Sequence, residues 1–208
     1  MKVIDQINNY EKVFNNRPCI KDDEFIIDKG TMPVMISAPH TVDHFRHGHY
    51  KIADLYTAAV TQYLHKLTGC HIIYSVSCKS TDPNYDDNDS SAYKQALRLF
   101  IIENDVKVLI DLHGCLETNP AAIEIGTVDT TDKSLQKYSW IAPLVMEIFR
   151  KHLKNSMQQY GKIIVKNQKF TASNPNTITN FIFSTLGIPC FQLEINRILE
   201  ILTDQKNL

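Results

Sequence analysis

Short apolar runs alternate along the chain with longer segments in which apolar residues recur at helical spacing. The runs are rich in Val and Ile and are bounded by Pro, Gly, Asn or Asp, which is typical of buried strands. This pattern predicts six strands, at residues 34–38, 71–76, 107–112, 121–128, 162–166 and 189–195.

Four helices are predicted in the intervening segments. Ser90 is a candidate cap for the second of them. Pro143 lies inside the third and must either kink it or begin a second helix. The predicted helices cover residues 50–67, 91–103, 135–153 and 175–186.

The alternation of strands and helices predicts one α/β domain over residues 1–208. We expect three layers, with a mixed, mostly parallel central sheet and helices on both faces. The segment 121–128 follows a strand without an intervening helix, which favours an antiparallel insertion. Active sites of such sheets lie outside the carboxyl ends of the strands, so the residues that follow each apolar run are the candidates for chemistry.

Composition narrows the class of protein. The formal net charge is -1, which gives no reason to expect a nucleic-acid partner, and the chain has no apolar run long enough to span a membrane. The N-terminal sequence lacks the features of a secretory signal, so we expect a cytoplasmic protein. The five cysteines are irregularly spaced, which favours free thiols, with Cys70 and Cys190 as core residues.

Two strand ends carry candidate metal ligands. His40 and Asp43 follow the first predicted strand, and His113 follows the third, inside the sequence "LIDLHG". Two histidines, one carboxylate and an open fourth position are a recurrent arrangement for catalytic zinc, which lowers the pKa of bound water to about 7. Asp111, two residues before His113, is a candidate for orienting its ring. The alternative, that both histidines are hydrogen-bonded structural residues, stays open on spacing alone.

The other polar residues near these strand ends are expected to be solvated. His44, His47 and His49 are predicted to be loop residues without a ligand role. The acidic stretch "DPNYDDND" consists of turn-forming residues and lacks the spacing of an EF-hand, so we expect a solvated loop, or a lid, there.

Glu194 is a candidate general base. Strand alternation places Phe191, Leu193 and Ile195 on one face and Glu194 on the other. A carboxylate in so apolar a strand is costly to bury unless it is paired or functional. A structural ion pair, for example with Arg197, is the alternative to a role in proton transfer.

Four ordered segments resemble the N-formylglutamate amidohydrolase family: "SAPHTVDHFRHG", "DPNYD…AYKQAL", "LIDLHG" and "QLEINR". The resemblance runs from about Pro33 to Arg197 and extends, more distantly, to the zinc carboxypeptidase and aspartoacylase superfamily. It implies a phosphorylase/hydrolase-like fold, and a hydrolase with one Zn²⁺ per chain and a small-molecule substrate.

The resemblance also implies roles for individual residues. His40 and His113 take the two histidine positions, and Asp43 stands where the superfamily has glutamate. Glu194 takes the position of the base that activates metal-bound water.

The superfamily also holds its substrate with an Asn-Arg pair and polarises the scissile carbonyl with an arginine. Here Asn84 matches the asparagine, while Tyr85 stands at the arginine position. Arg46 is then the candidate catalytic arginine, and Asn84 and Arg197 are the candidate substrate-binding residues.

The sequence therefore predicts a zinc-dependent hydrolase that cleaves the amide bond of a small N-acyl amino acid. Three alternatives stay open: a metallocarboxypeptidase-like peptidase, a non-catalytic binding module with the same fold, and a cysteine hydrolase that uses Cys115 beside His113.

Overall fold

The computed structural model describes residues 3–14, 24–46, 48–78, 80–128 and 138–197. The helices in these ranges are α1 (Val3–Phe14), α2 (Thr57–Thr68), α3 (Ala92–Glu103), α4 (Ile141–Tyr160) and α5 (Ile178–Leu186). The strands are β1 (Glu24–Asp28), β2 (Met32–Ala38), β3 (His44–Arg46), β4 (His49–Lys51), β5 (Cys70–Ser77), β6 (Val108–Cys115), β7 (Ala121–Gly126), β8 (Ile163–Lys166) and β9 (Cys190–Asn196).

Seven of the strands form one sheet in the order β1-β5-β2-β6-β9-β7-β8. The four central strands, β5, β2, β6 and β9, are parallel to one another. Strand β1 is antiparallel to β5, and β7 is antiparallel to β9, as expected for the segment that follows β6 without a helix. The predicted mixed, mostly parallel sheet is confirmed.

Apolar side chains cover both faces of this sheet. On one face Ile36, Ile72 and Leu112 pack in a cluster with residues of α1, α2 and α4. On the other face Met35, Ile73 and Leu109 pack with residues of α3 and α5. Successive strand residues therefore alternate between two cores, which confirms the three-layer architecture.

The helices begin at recognisable caps. Ser91, one residue after the expected Ser90, caps α3 by accepting a hydrogen bond from Lys94 N. Pro143 lies in the first turn of α4, where a missing backbone N–H costs no hydrogen bond. Residues 135–137 of the helix predicted there lie outside the described part of the chain. None of the helices in the described ranges is long and apolar enough to cross a membrane.

Helix α2 begins at Thr57, seven residues later than the sequence pattern indicated. The residues before it form β4 and a short connection to the helix. Strands β3 and β4 form a separate two-stranded hairpin in which the rings of Phe45 and Tyr50 pack edge to face. Gly48, at φ +81°, makes its turn, a conformation that favours glycine. The hairpin, α1 and β1 were not predicted.

Candidate metal centre and active site

Two imidazole nitrogens and one carboxylate oxygen, all atoms that can bind a metal ion, lie close together at the carboxyl ends of β2 and β6. His40 Nδ1 lies 3.1 Å from His113 Nδ1, and each of these nitrogens lies 3.4 Å from Asp54 Oδ2. The two histidines are buried and Asp54 is half-buried. These atoms form a nearly equilateral triangle.

The size of this triangle fits a zinc ion. Ligand atoms about 2.0–2.1 Å from an ion, at tetrahedral angles, are about 3.3–3.4 Å apart. Two imidazoles and one carboxylate are also the donor set that catalytic zinc sites use. The residues present therefore fit a tetrahedral metal with its fourth position open.

A carboxylate holds the far nitrogen of each histidine. His40 Nε2 lies 2.8 Å from Asp82 Oδ1, and His113 Nε2 lies 3.2 Å from Asp111 Oδ2. A carboxylate accepts but does not donate, so it selects an N–H at Nε2 and leaves the Nδ1 lone pair for a metal. The expected contact between Asp111 and His113 is present.

The carboxylates also set the charge of the cluster. Burial alone would lower the pKa of His113, but Asp111 and Asp54 outweigh it and raise that pKa well above its ordinary value. Burial likewise opposes ionisation of Asp54, yet His113 and His40 hold its pKa far below the usual range. The carboxylates thus stabilise positive charge in this cluster, and a divalent cation can supply that charge in place of a ring proton.

Asp54 reaches the cluster because the chain turns sharply before α2. Its backbone N–H donates to His40 O at 2.8 Å, and Tyr56 adopts a left-handed conformation at φ 63°. Thr57 Oγ1 donates to Asp54 O at 2.6 Å. Gly114 permits this approach, because a Cβ at that position would lie 3.2 Å from Asp54 Cβ.

Asp43, the expected third ligand, does not join the two histidines. Its side chain is exposed, and its Oδ1 accepts a hydrogen bond from Ala53 N at 2.9 Å. Asp43 thus fixes the segment that carries Asp54. Helical periodicity placed residue 54 inside a predicted helix, so Asp54 was not among the expected ligands. The residue directly before α2 is Tyr56, and no side chain caps the helix there, so the sequence held no capping signal that α2 begins at Thr57.

His44 is not the solvated loop residue that the sequence suggested. It is buried, its ring stacks on that of His40 at 4.0 Å between centroids, and its Nε2 lies 3.7 Å from Asp82 Oδ2. Burial, followed by the charge of His40, lowers the pKa of His44 to about 4, so the ring is neutral at pH 7. The exposed His49 is consistent with a solvated position, and His47 lies outside the described residues.

The acidic loop, which was expected to be solvated, contains a buried carboxylate. Asp82 is 1% exposed and contacts His40, while its other oxygen forms an ion pair with Arg46 Nε. The Arg46 guanidinium lies over the ring of Tyr85, 3.7 Å from its centroid. Arg46 is thus fixed by two contacts: the Asp82 carboxylate pairs with its Nε, and its guanidinium lies over the ring of Tyr85.

His40, His44 and Asp82 form a second group within reach of a common ion. Arg46 already pairs with Asp82, and both oxygens of this carboxylate are engaged. We therefore interpret this second group as residues that orient the ring of His40, and not as a second metal site.

Glu194 lies next to His113 on the sheet. The two residues are paired positions of β9 and β6, and Glu194 is 3% exposed. Burial raises the pKa of Glu194 to about 7, although His113 opposes the shift. Gln192 Nε2 donates to Glu194 Oε1 at 2.5 Å. A carboxyl with a pKa near neutrality beside a metal-type cluster suits proton transfer in both directions.

The remaining predicted site residues lie around the same space. Asn84 is buried, and its Oδ1 accepts a hydrogen bond from Ile178 N at 2.9 Å. Arg197 is exposed at the end of β9. Both line a cavity of about 610 Å³ that also contacts His40, His113, Asp54, Arg46 and Glu194. Except for Asp43, the structure brings the predicted site residues to one cavity.

Comparisons with known proteins point to the fold. No family model matches the chain, and no curated protein matches it at a significant level. The strand order and the helices on both faces of the sheet define a three-layer α/β protein, and the solved structures that it resembles include an N-formylglutamate amidohydrolase.

Two solved structures support the assignment of the fold. The N-formylglutamate amidohydrolase from Ralstonia eutropha is 12% identical, with 84% of this chain and 86% of that chain covered and a TM-score of 0.50. A gene product from Agrobacterium tumefaciens is 11% identical, with 84% of each chain covered and a TM-score of 0.50. A metallo-carboxypeptidase from Burkholderia cenocepacia gives a TM-score of 0.47 at 9% identity, with 90% of this chain and 58% of that chain covered. At these identities, the likeness to the first two structures confirms the expected fold.

Proposed function

We propose that the protein is a zinc-dependent hydrolase that cleaves the amide bond of a small N-acyl amino acid. The observation that carries this proposal is the triangle of His40 Nδ1, His113 Nδ1 and Asp54 Oδ2, beside a buried Glu194 whose pKa is near neutrality. His40, Asp54 and His113 are the proposed ligands. A zinc ion held there would polarise the substrate carbonyl and make water more acidic, to a pKa of about 7.

Glu194 is the proposed base and acid. Its carboxylate takes one proton from the attacking water, while the water oxygen bonds to the carbonyl carbon. When the C–N bond breaks, Glu194 returns that proton to the leaving nitrogen. The products are a carboxylic acid and the free amine of the amino acid, and Glu194 ends in its starting state.

Arg46 is the proposed catalytic arginine. Asp82 and Tyr85 fix its guanidinium from two directions, which lowers the entropy lost when it binds an anion. Its remaining N–H groups are suited to the oxyanion that develops on the carbonyl or to a substrate carboxylate. Asn84 and the exposed Arg197 are proposed to bind the substrate carboxylate at the cavity wall.

Metal analysis and turnover together test this proposal. Purified protein is expected to hold about one zinc per chain, and Glu194→Gln is expected to keep the metal and lose turnover of formylated and acetylated amino acids. Normal hydrolysis by Glu194→Gln would refute the mechanism. Protein that binds no metal after dialysis and shows no zinc-restorable activity would instead favour a binding module.

A peptidase is the second candidate function. The cavity, at about 610 Å³, is in the range that accommodates drug-sized ligands. Short peptides belong beside the acylated amino acids in the assay, and faster cleavage of peptides would favour this candidate.

A cysteine hydrolase is disfavoured by the state of Cys115. Burial, followed by the charge of Glu194, raises the pKa of its thiol to about 12. An activated cysteine nucleophile requires the opposite shift.

A further inference from the structure

The mouth of the active-site cavity is lined by exposed apolar side chains. Ile52 is 81% exposed, Leu116 is 65% exposed and Tyr50 is 64% exposed, and all three line the cavity together with Phe170. They come from separate parts of the chain: the end of the β3–β4 hairpin, the segment after β6 and the segment after β8. Exposed apolar side chains that converge on a cavity are typical of a surface that contacts ligand.

This apolar surface is continuous with the proposed metal ligands. Ile52 lies two residues before Asp54, and Leu116 lies three residues after His113. Ile52 and Leu116 line the same cavity as Asp54 and His113, the proposed ligands beside which the scissile carbonyl would bind. A group attached to that carbonyl carbon can therefore contact them.

Polar side chains line another part of the same cavity. Asn84 is 4% exposed, and Arg46 is held by the buried Asp82. This polar wall suits the carboxylate of the amino-acid part of the substrate. The apolar side chains of the same cavity are then available to the acyl part of the substrate.

From this arrangement we propose that Tyr50, Ile52 and Leu116 form a subsite for an extended apolar acyl group, such as a straight alkyl chain. The inference rests on the proposed function, because it assigns the acyl half of the substrate to this surface. It makes medium-chain N-acyl amino acids better substrates than formylated or acetylated ones.

A series of N-acylglutamates with formyl, acetyl, butanoyl, hexanoyl and octanoyl groups tests the subsite. Each methylene that becomes buried is expected to raise kcat/KM up to about fourfold, until the chain passes the mouth. Ile52→Ser and Leu116→Ser are expected to flatten this dependence while turnover of the formyl substrate stays within about twofold. Leu67→Ser is the matched control, because Leu67 is 64% exposed on α2 and does not line this cavity.

A binding measurement separates this inference from the proposed function. The dissociation constants of the same acylglutamates are measured by calorimetry on zinc-loaded Glu194→Gln, in which no turnover is expected. If wild type hydrolyses none of the series but affinity still rises with chain length, the subsite stands and the proposed function fails. Flat affinity, no binding of any member, or equal loss in Leu67→Ser overturns the subsite.

Discussion

The Nδ1 atoms of His40 and His113 lie 3.1 Å apart, and a carboxylate contacts the other ring nitrogen of each. His40 follows β2 and His113 lies in β6, and both rings are turned so that their Nδ1 atoms point to one place. Asp82 orients the first ring and Asp111 the second. The metal proposal depends on these outer carboxylates as much as on the ligands.

Replacement of Asp82 by asparagine is expected to weaken zinc binding by about 10–100-fold. The variant loses the charge that holds both His40 Nε2 and Arg46 Nε. Competition with a chromophoric chelator measures the affinity. Asp89→Asn is the matched control, because Asp89 is exposed in the same acidic loop. An unchanged zinc affinity in Asp82→Asn would show that this carboxylate does not support the site.

Replacement of Gln192 by leucine is expected to reduce kcat about tenfold with little change in KM. Gln192 donates to Glu194 and stabilises the ionised carboxylate, so its loss raises the pKa of Glu194 further. The acid limb of the kcat profile should therefore move to higher pH. Gln192→Asn, which retains an amide, is expected to recover part of the rate. If the limb stays in place in Gln192→Leu, the hydrogen bond has no role in catalysis.

The free energy of unfolding is expected to fall as the pH decreases from 7.5 to 5, in part because of His71. Its Nδ1 accepts a hydrogen bond from Gly30 N at 3.0 Å, which requires the neutral ring. Burial, followed by the charges of Lys29 and His65, lowers its pKa from 6.5. The unfolded chain therefore binds a proton first as pH falls, and this contribution to stability is lost from pH 6.5 down to the folded pKa.

Urea unfolding at the two pH values measures this effect. His71→Gln is expected to lose less unfolding free energy over this range than wild type. His152→Gln is the control for removal of a histidine, since His152 is exposed on α4. Identical losses in wild type and His71→Gln would contradict the assignment.

Most of the sheet could be predicted because its strands are buried on both faces. Met35 and Ile36 pack in opposite cores, so β2 appears in the sequence as a nearly continuous apolar run, interrupted by Ser37. Parallel strands then place their carboxyl ends at one edge, which is why His40, His113 and Glu194 could be grouped without coordinates.

Asp54 and His44 could not be found in the same way, because non-local contacts determine their positions. The hydrogen bond from Asp54 N to His40 O and the left-handed Tyr56 bend the chain where helical periodicity suggested that a helix continued. His44 is buried because the β3–β4 hairpin packs against the acidic loop, through Phe45 N to Thr81 O at 3.2 Å. The spacing of residues along the chain does not indicate either contact.

The central claim is that Asp54, and not Asp43, completes the metal site. Zinc content after dialysis, measured by elemental analysis on wild type, Asp54→Ala and Asp43→Ala, tests it most directly. We expect about one zinc per chain in wild type and in a folded Asp43→Ala, and almost none in Asp54→Ala at micromolar protein, with circular dichroism confirming that each variant is folded. Retention of zinc by Asp54→Ala together with its loss from Asp43→Ala would contradict the account.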